Sequence, residues 1–311
     1  MMFAGMMLVA MGLDLALGWP DWLFRRIGHP VTWIGAAISA LEARWNVGAA
    51  HQRRRGGVLT LIAIAGGAGA LAVVVQGLLP NGAVGIVLGG VLAWPLVAMR
   101  SMHEHVMAVA LPLESRDLPA ARTAVSMIVG RDPALLDPSG VTRAALESLA
   151  ENTSDGIVAP LLWGAVLGLP GIAAYKAVNT LDSMIGHKSV RYLHYGWASA
   201  RFDDLVNLVP ARLTGLLFAL ASGRAGDAMA AMRRDARNHR SPNAGWPEAA
   251  LAGAMRIRLS GPRSYGDGVA AEPWVNAEAP DPTVPDLRRG LALYRAVMVL
   301  LAAALAVLAL V

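Results

Sequence analysis

Glu147 and Glu151 stand one helical turn apart in the run Glu147-Ser-Leu-Ala-Glu151-Asn152-Thr-Ser-Asp155-Gly156, with Asp155 one turn further on. Residues at i and i+4 share a helix face, where like charges repel unless a cation lies among them. Such a trio beside an apolar stretch suits Mg²⁺ or an ammonium group; a solvated helix face is the plainer alternative. A second run, Asn179-Thr-Leu-Asp182-Ser183-Met-Ile-Gly186-His187-Lys188, repeats polar residues every three or four positions on an apolar helix. That pattern is costly in hydrocarbon unless a ligand or a neighbouring helix meets it. In Arg201-Phe-Asp203-Asp204-Leu-Val-Asn207-Leu-Val-Pro210-Ala-Arg212, acids, an amide and guanidinium groups enter an apolar run. Metal–phosphate chemistry needs those side chains, and simple Asp–Arg pairing uses the same ones. A basic helix from Arg233 then passes Arg237, His239, Ser241 and Asn243 into a Pro-started helix carrying Glu248. Arg, His and Asn donors at a loop–helix junction suit phosphate, although a basic solvated face has the same composition. Tyr265 follows in the turn after Gly261-Pro262.

The elements that must position these residues are membrane helices. Of 311 residues, 55% are hydrophobic and only 16% charged, which points to the bilayer rather than water as solvent. The net charge of +5 is read as basic loops setting orientation, not as nucleic-acid binding. With no cysteine, disulfides, thiolate nucleophiles and cysteine metal sites are excluded together. About four stretches are long enough to span, Met2–Trp19, Val58–Leu79, Val84–Met99 and Leu291–Val311. The first has basic residues after it rather than before it, so it reads as an uncleaved anchor. Arg25, Arg26, Arg44 and Arg53-Arg54-Arg55 place the following loop in the cytoplasm and the N-terminus outside. Two further apolar stretches, Ile157–Tyr175 and Leu205–Ser222, are broken by Pro160, Gly168-Leu-Pro-Gly171 and Pro210. Both must cross or both re-enter, and broken backbone at membrane depth survives only beside protein or a cavity. Asp117 and Asp137-Pro138 open cytoplasmic amphipathic helices, and Glu272–Pro285 reads as a solvated loop. The expected fold is an all-α integral membrane protein, one membrane-embedded domain over 1–311, with its polar site segments at 147–265.

Three weaker signals carry less. His103-Glu-His105 faces its imidazoles apart on a helix, the spacing of a Walker A loop is absent around Gly186-His-Lys-Ser189, and Asp14 lies near a helix end.

The combination of Glu147 through Pro160, Asn179 through His187, Arg201-Phe-Asp-Asp204 with Pro210-Ala-Arg-Leu-Thr214, and Ser241-Pro-Asn-Ala-Gly245 with Pro247-Glu-Ala-Ala250 resembles the CobD/CbiB family. Asp14 through Pro20 and His29-Pro30-Val31 extend the resemblance over nearly the whole chain. The family consists of membrane adenosylcobinamide-phosphate synthases of cobalamin biosynthesis. The resemblance implies ATP-dependent amide ligation of adenosylcobyric acid with an aminopropanol, commonly as its O-phosphate, at the cytoplasmic face of the cell membrane. Mg-ATP would activate the carboxyl as an acyl phosphate for attack by the neutral amine. On that chemistry we assign Glu147, Glu151, Asp182 and His239 to catalysis, and Asp155, Asp203 and Asp204 to the metal. Asn152, Asn179, His187, Lys188, Arg201, Arg212, Arg237, Ser241, Asn243, Glu248 and Tyr265 are assigned to substrate and phosphate. A homo-oligomer, or association with other cobalamin-biosynthesis membrane proteins, is expected. Broken segments with Asp14, Asn207 and Arg212 are also what a corrinoid transporter would carry, and a non-catalytic signalling relative similar to the AmpE branch is a further alternative.

Overall fold

The structure is a computed structural model; it describes residues 2–130, 132–265, 268–270 and 272–310, with backbone alone at 263–265 and 268–270. In chain order the first helices are α1 (Met2–Leu17), α2 (Asp21–Ile27), α3 (Pro30–Trp45), α4 (Ala50–Leu61), α5 (Gly67–Gly77), α6 (Ala83–Ala93), α7 (Met99–Glu114) and α8 (Leu118–Ser126). Then come α9 (Pro138–Thr153), α10 (Ala159–Leu167), α11 (Leu169–Ile185), α12 (Trp197–Val206), α13 (Leu208–Ala221), α14 (Ala225–Asp235), α15 (Gly245–Met255) and α16 (Val284–Leu310). Among the described residues, strands are confined to two antiparallel pairs, β1 (Leu259–Ser260) with β4 (Trp274–Val275) and β2 (Arg263–Tyr265) with β3 (Gly268–Ala270).

Local chemistry sets the helix starts. His29 caps α3 by accepting from the Val31 N–H, and Pro30 sits at the first helical position, where its missing N–H costs nothing. Asp117 and Asp137 cap α8 and α9 as the sequence predicts, accepting from Ala120 N and Gly140 N at 3.0 and 2.7 Å. Gly168, at φ 71°, breaks α10 from α11, and Gln76 Oε1 accepts from the Leu169 N–H at the new helix start.

Among the described residues, three helices are long and apolar enough to cross a membrane: Ala50–Gly77, Ala83–Glu114 and Val284–Leu310. Two bent pairs would raise the number to five if each were one span. The expected span Met2–Trp19 is present as α1, a helix of 16 residues, which with Asp21–Trp45 forms a pair bent by 110°. Gly18-Trp-Pro20 causes the bend, because Gly18 takes φ 58° and Pro20 cannot continue the helix. The expected break in the other stretch is present as a 46° bend between α12 and α13, at Asn207.

The described residues divide into two compact units. The first comprises Met1–Ala98, Ala159–Asn207 and Ala304–Val311, and includes a core of Ile38, Leu181, Ile185 and Tyr195. There α4 touches the loop after α11 so closely that a Cβ on Gly57 would stand 1.8 Å from Tyr195 O. Glycine is required at that contact. The second unit comprises Met99–Val158 and Leu208–Ala303. Its helix α9 is buried along nearly its whole length, and α15 is buried except at Trp246.

Candidate functional site

The residues marked by the sequence fall into two groups, one in each unit. In the second unit, α13 presents Arg212 beside the turn that opens α15. Arg212 Nη1 donates to Leu208 O at 2.7 Å and Asn243 Oδ1 at 3.3 Å, while its guanidinium carbon lies 4.6 Å from the centre of the Trp246 ring. These contacts hold the planar cation in one orientation. Arg237 is exposed and close enough for its charge to act on Arg212. Two neighbouring guanidinium groups repel, so the arrangement favours a bound anion.

The same turn orders His239. Its Nδ1 accepts from the Ser241 N–H at 3.1 Å, so the neutral ring carries its proton on Nε2. That atom faces Glu248 Oε1 at 3.6 Å, with both side chains almost fully buried. Ser241 Oγ accepts from the N–H groups of Asn243 and Ala244, which makes it a cap of the turn. Gly245 is needed there because a Cβ would stand 2.3 Å from Ala236 O.

Glu147 is buried and its Oε1 accepts from the Ser260 N–H at 2.7 Å. Ser260 has φ 60°, so the carboxylate supports a left-handed backbone turn. Asn152 folds back on Ser148, donating to its carbonyl and hydroxyl. Glu151 is exposed, and Asp155 lies in a π-helical turn, Ser154–Val158, that rotates it relative to the α9 face. For Tyr265 only the backbone is described; its side chain lies outside the described residues.

In the first unit, α11 and α12 carry the other group. Asp182 lies in the last turn of α11, beyond the apolar stretch and outside the candidate spans. Burial pushes its carboxyl above the ordinary aspartate range, the charge of Asp204 adds to that, and His187 opposes it. A Cβ on Gly186 would sit 1.9 Å from Asp182 Oδ1, so glycine lets the chain turn against this carboxylate. Arg201 lies 3.7 Å from Asp204, and Lys188 is close enough for its charge to act on Asp204. Asn179 is half-buried, and its carbonyl accepts from the Ser183 hydroxyl. Asp203 is buried in a relay with two other residues: Tyr175 OH donates to Asn207 Oδ1 at 2.8 Å, and Asn207 Nδ2 donates to Asp203 Oδ2 at 3.0 Å. Among the described residues, no three His, Asp or Glu side chains are grouped so as to hold a metal ion by themselves.

The loop bearing His187 and Lys188 is anchored by residues that sequence reasoning assigned no chemistry. Arg191 donates from Nε and Nη2 to the two oxygens of Glu42, at 2.9 and 2.7 Å. Asn46 donates to Glu42, and Arg53 donates to Asn46 and to the carbonyls of Val190 and Arg191. Arg53 gave only a topological signal, and Glu42 gave none. Trp246 could have been singled out from its place between Gly245 and Pro247, but an indole beside an arginine 34 positions away leaves no spacing pattern.

Long apolar helices, broken where acidic and basic side chains gather, define an all-helical protein with several candidate membrane spans and a polar site. The chain belongs to the CobD/Cbib family, whose model, described as CobD/Cbib protein, matches residues 7–294. It is 67% identical over 298 residues to a protein of Rhodobacter capsulatus named Cobalamin biosynthesis protein CobD, covering 96% of this chain and 95% of that one. Proteins of the same name from Sinorhizobium fredii and Brucella anthropi are 48% and 46% identical, with at least 93% of each chain covered. No solved structure matches the chain.

Proposed function

We propose that this protein acts in cobalamin biosynthesis, joining a propionate carboxyl of adenosylcobyric acid to the amine of (R)-1-aminopropan-2-ol or its O-phosphate. The carboxylate oxygen attacks the terminal phosphorus of ATP and ADP leaves. The amine nitrogen then attacks the acyl carbon, inorganic phosphate leaves, and the nitrogen gives up a proton. The observation that carries this reading is Arg212, stacked on Trp246, held by Asn243 and set beside Arg237. A fixed guanidinium next to a second cation suits phosphate oxygens whose charge must be held through transfer.

Asp182, Asp203 and Asp204 suit an ammonium or a nucleotide-carried Mg²⁺, which needs only one or two protein carboxylates besides phosphate oxygens. The ion neutralises phosphate charge when bound. His239, its proton on Nε2 facing Glu248, is suited to exchange a proton with reacting groups. The chemistry belongs at the cytoplasmic side of the cell membrane, where ATP is present. The names of the relatives and the family support the pathway; the ligation itself is tested by incubating purified membranes with adenosylcobyric acid, aminopropanol phosphate and Mg-ATP. Amide formation with one ATP consumed per product, followed by mass, is expected. Corrinoid binding without product would move the reading to a carrier.

A further inference from the structure

We propose that the first unit holds one anionic phospholipid, with an acyl chain in an apolar groove along the Ala50–Gly77 helix and its headgroup on Arg25 and Arg26. The groove, about 470 Å³, runs along Ala63, Gly67, Leu71 and Val75 on that helix and is closed on one side by Trp33 and Ile34 of α3. Its volume falls in the range of specific ligand sites, roughly 300–1,000 Å³. Among the described residues, no charged side chain lines it. Only 17% of the apolar window of the Ala50–Gly77 helix is buried, so the groove opens onto a face that meets hydrocarbon.

The length decides the class of occupant. From Ala63 to Val75 the helix advances about 18 Å at roughly 1.5 Å per residue. One leaflet contributes half of a hydrocarbon core about 30 Å thick, or about 15 Å. A single acyl chain therefore fits the groove end to end.

The charge decides the headgroup. Trp33, at the groove wall, donates from Nε1 to Ile27 O at 2.9 Å and so ties the groove to the last residue of α2. That helix has no buried residue: Trp22, Phe24 and Ile27 are 60%, 49% and 47% exposed. Arg25 and Arg26 are exposed and form no ion pair among the described residues. Aromatic rings beside guanidinium groups are what the interface between acyl chains and anionic headgroups selects. Apolar wall, aromatic rim and unpaired cations thus succeed one another in the order of a phospholipid's own parts.

Native mass spectrometry of the full-length protein, delipidated and offered equal phosphatidylglycerol and phosphatidylcholine, tests this. One tightly held phosphatidylglycerol is expected. Arg25→Gln with Arg26→Gln should cut the preference for phosphatidylglycerol about tenfold while a lipid still binds. Gly67→Leu should remove the adduct; the Cβ it adds meets nothing within 4 Å, and an unchanged melting temperature of the variant separates lost lipid from lost fold. Equal retention of the two lipids, or an adduct count unchanged by Gly67→Leu, would mean annular lipid only and overturn the proposal. A dimer that Gly67→Leu splits would assign the groove to a second copy and overturn it equally.

Discussion

Trp163 Nε1 donates at 3.1 Å to the carbonyl of Val206, the group four residues before Pro210 that the proline cannot reach. The indole thus satisfies the acceptor exposed by the break between α12 and α13, and the helix can bend at Asn207 without leaving an orphan carbonyl. Trp163→Phe keeps the ring but removes the donor. It should cost about 1–3 kcal/mol, read as a lower melting temperature in detergent. Adding Pro210→Ala should recover part of the loss, and a strictly additive double variant would refute the assignment.

Trp246 and Arg212 should behave as a pair. Trp246→Ala is expected to raise KM for ATP several-fold with a smaller change in kcat, as a cation–π contact of about 0.5–2 kcal/mol is lost. Trp246→Phe should retain most of the affinity. Arg212→Lys should not rescue, because an ammonium lacks the planar fork. Unchanged KM in Trp246→Ala would separate this stacking from phosphate binding.

Asp182 carries a cost in stability. Its folded carboxyl titrates above the ordinary aspartate value, so the folded state binds the proton more tightly than the unfolded one. Stability at this group is greatest below the unfolded value and is lost as pH rises through the raised folded value. Asp182→Asn should therefore raise the melting temperature at neutral pH, with the gain shrinking as pH falls toward about 4, the ordinary aspartate value. The proposed amide ligation should be lost in the same variant. A stability difference that does not vary with pH would contradict the shift.

Gly245 and Gly226 make a controlled comparison. A Cβ at Gly245 meets Ala236 O at 2.3 Å and His239 Cβ at 2.7 Å, whereas one at Gly226 meets nothing within 4 Å. Gly245→Ala should cost roughly 1–3 kcal/mol by overpacking and disturb His239. Gly226→Ala should be neutral or stabilising by up to about 1 kcal/mol. Thermal melts of the two variants check the sign of each.

Arg191 and Glu42 should control the loop carrying His187 and Lys188. Arg191→Ala leaves the buried Glu42 carboxylate with Asn46 in place of the two-point guanidinium contact. Faster limited proteolysis between Gly186 and Gly196 is the expected readout. An unchanged cleavage rate would show that Arg53 and Asn46, which both donate to the Arg191 carbonyl, suffice to hold the loop.

Much of the fold follows from short-range pattern. Apolar runs, Pro after an N-cap acid, and glycine at left-handed positions act over one or two turns, so the helical class, the capped starts of α8 and α9 and the breaks near Gly168 and Asn207 were readable without coordinates. Hydropathy, which counts residues, located the apolar helix at Met2–Trp19 but did not say that Gly18 and Pro20 bend the chain by 110° after it. The polar runs between 147 and 265 also stood out, because unpaired polar groups in an apolar chain are costly and therefore conspicuous. What each of those groups touches is a long-range property. Glu147 supports Ser260, Tyr175 reaches Asn207, Trp246 carries Arg212, and Glu42 holds Arg191, over separations from 32 to 149 residues in the chain. A hydrogen bond or a stacked cation acts over a few ångströms of space and leaves no periodicity along the sequence, so only the tertiary structure could decide which polar residues steady the fold and which are presented for chemistry.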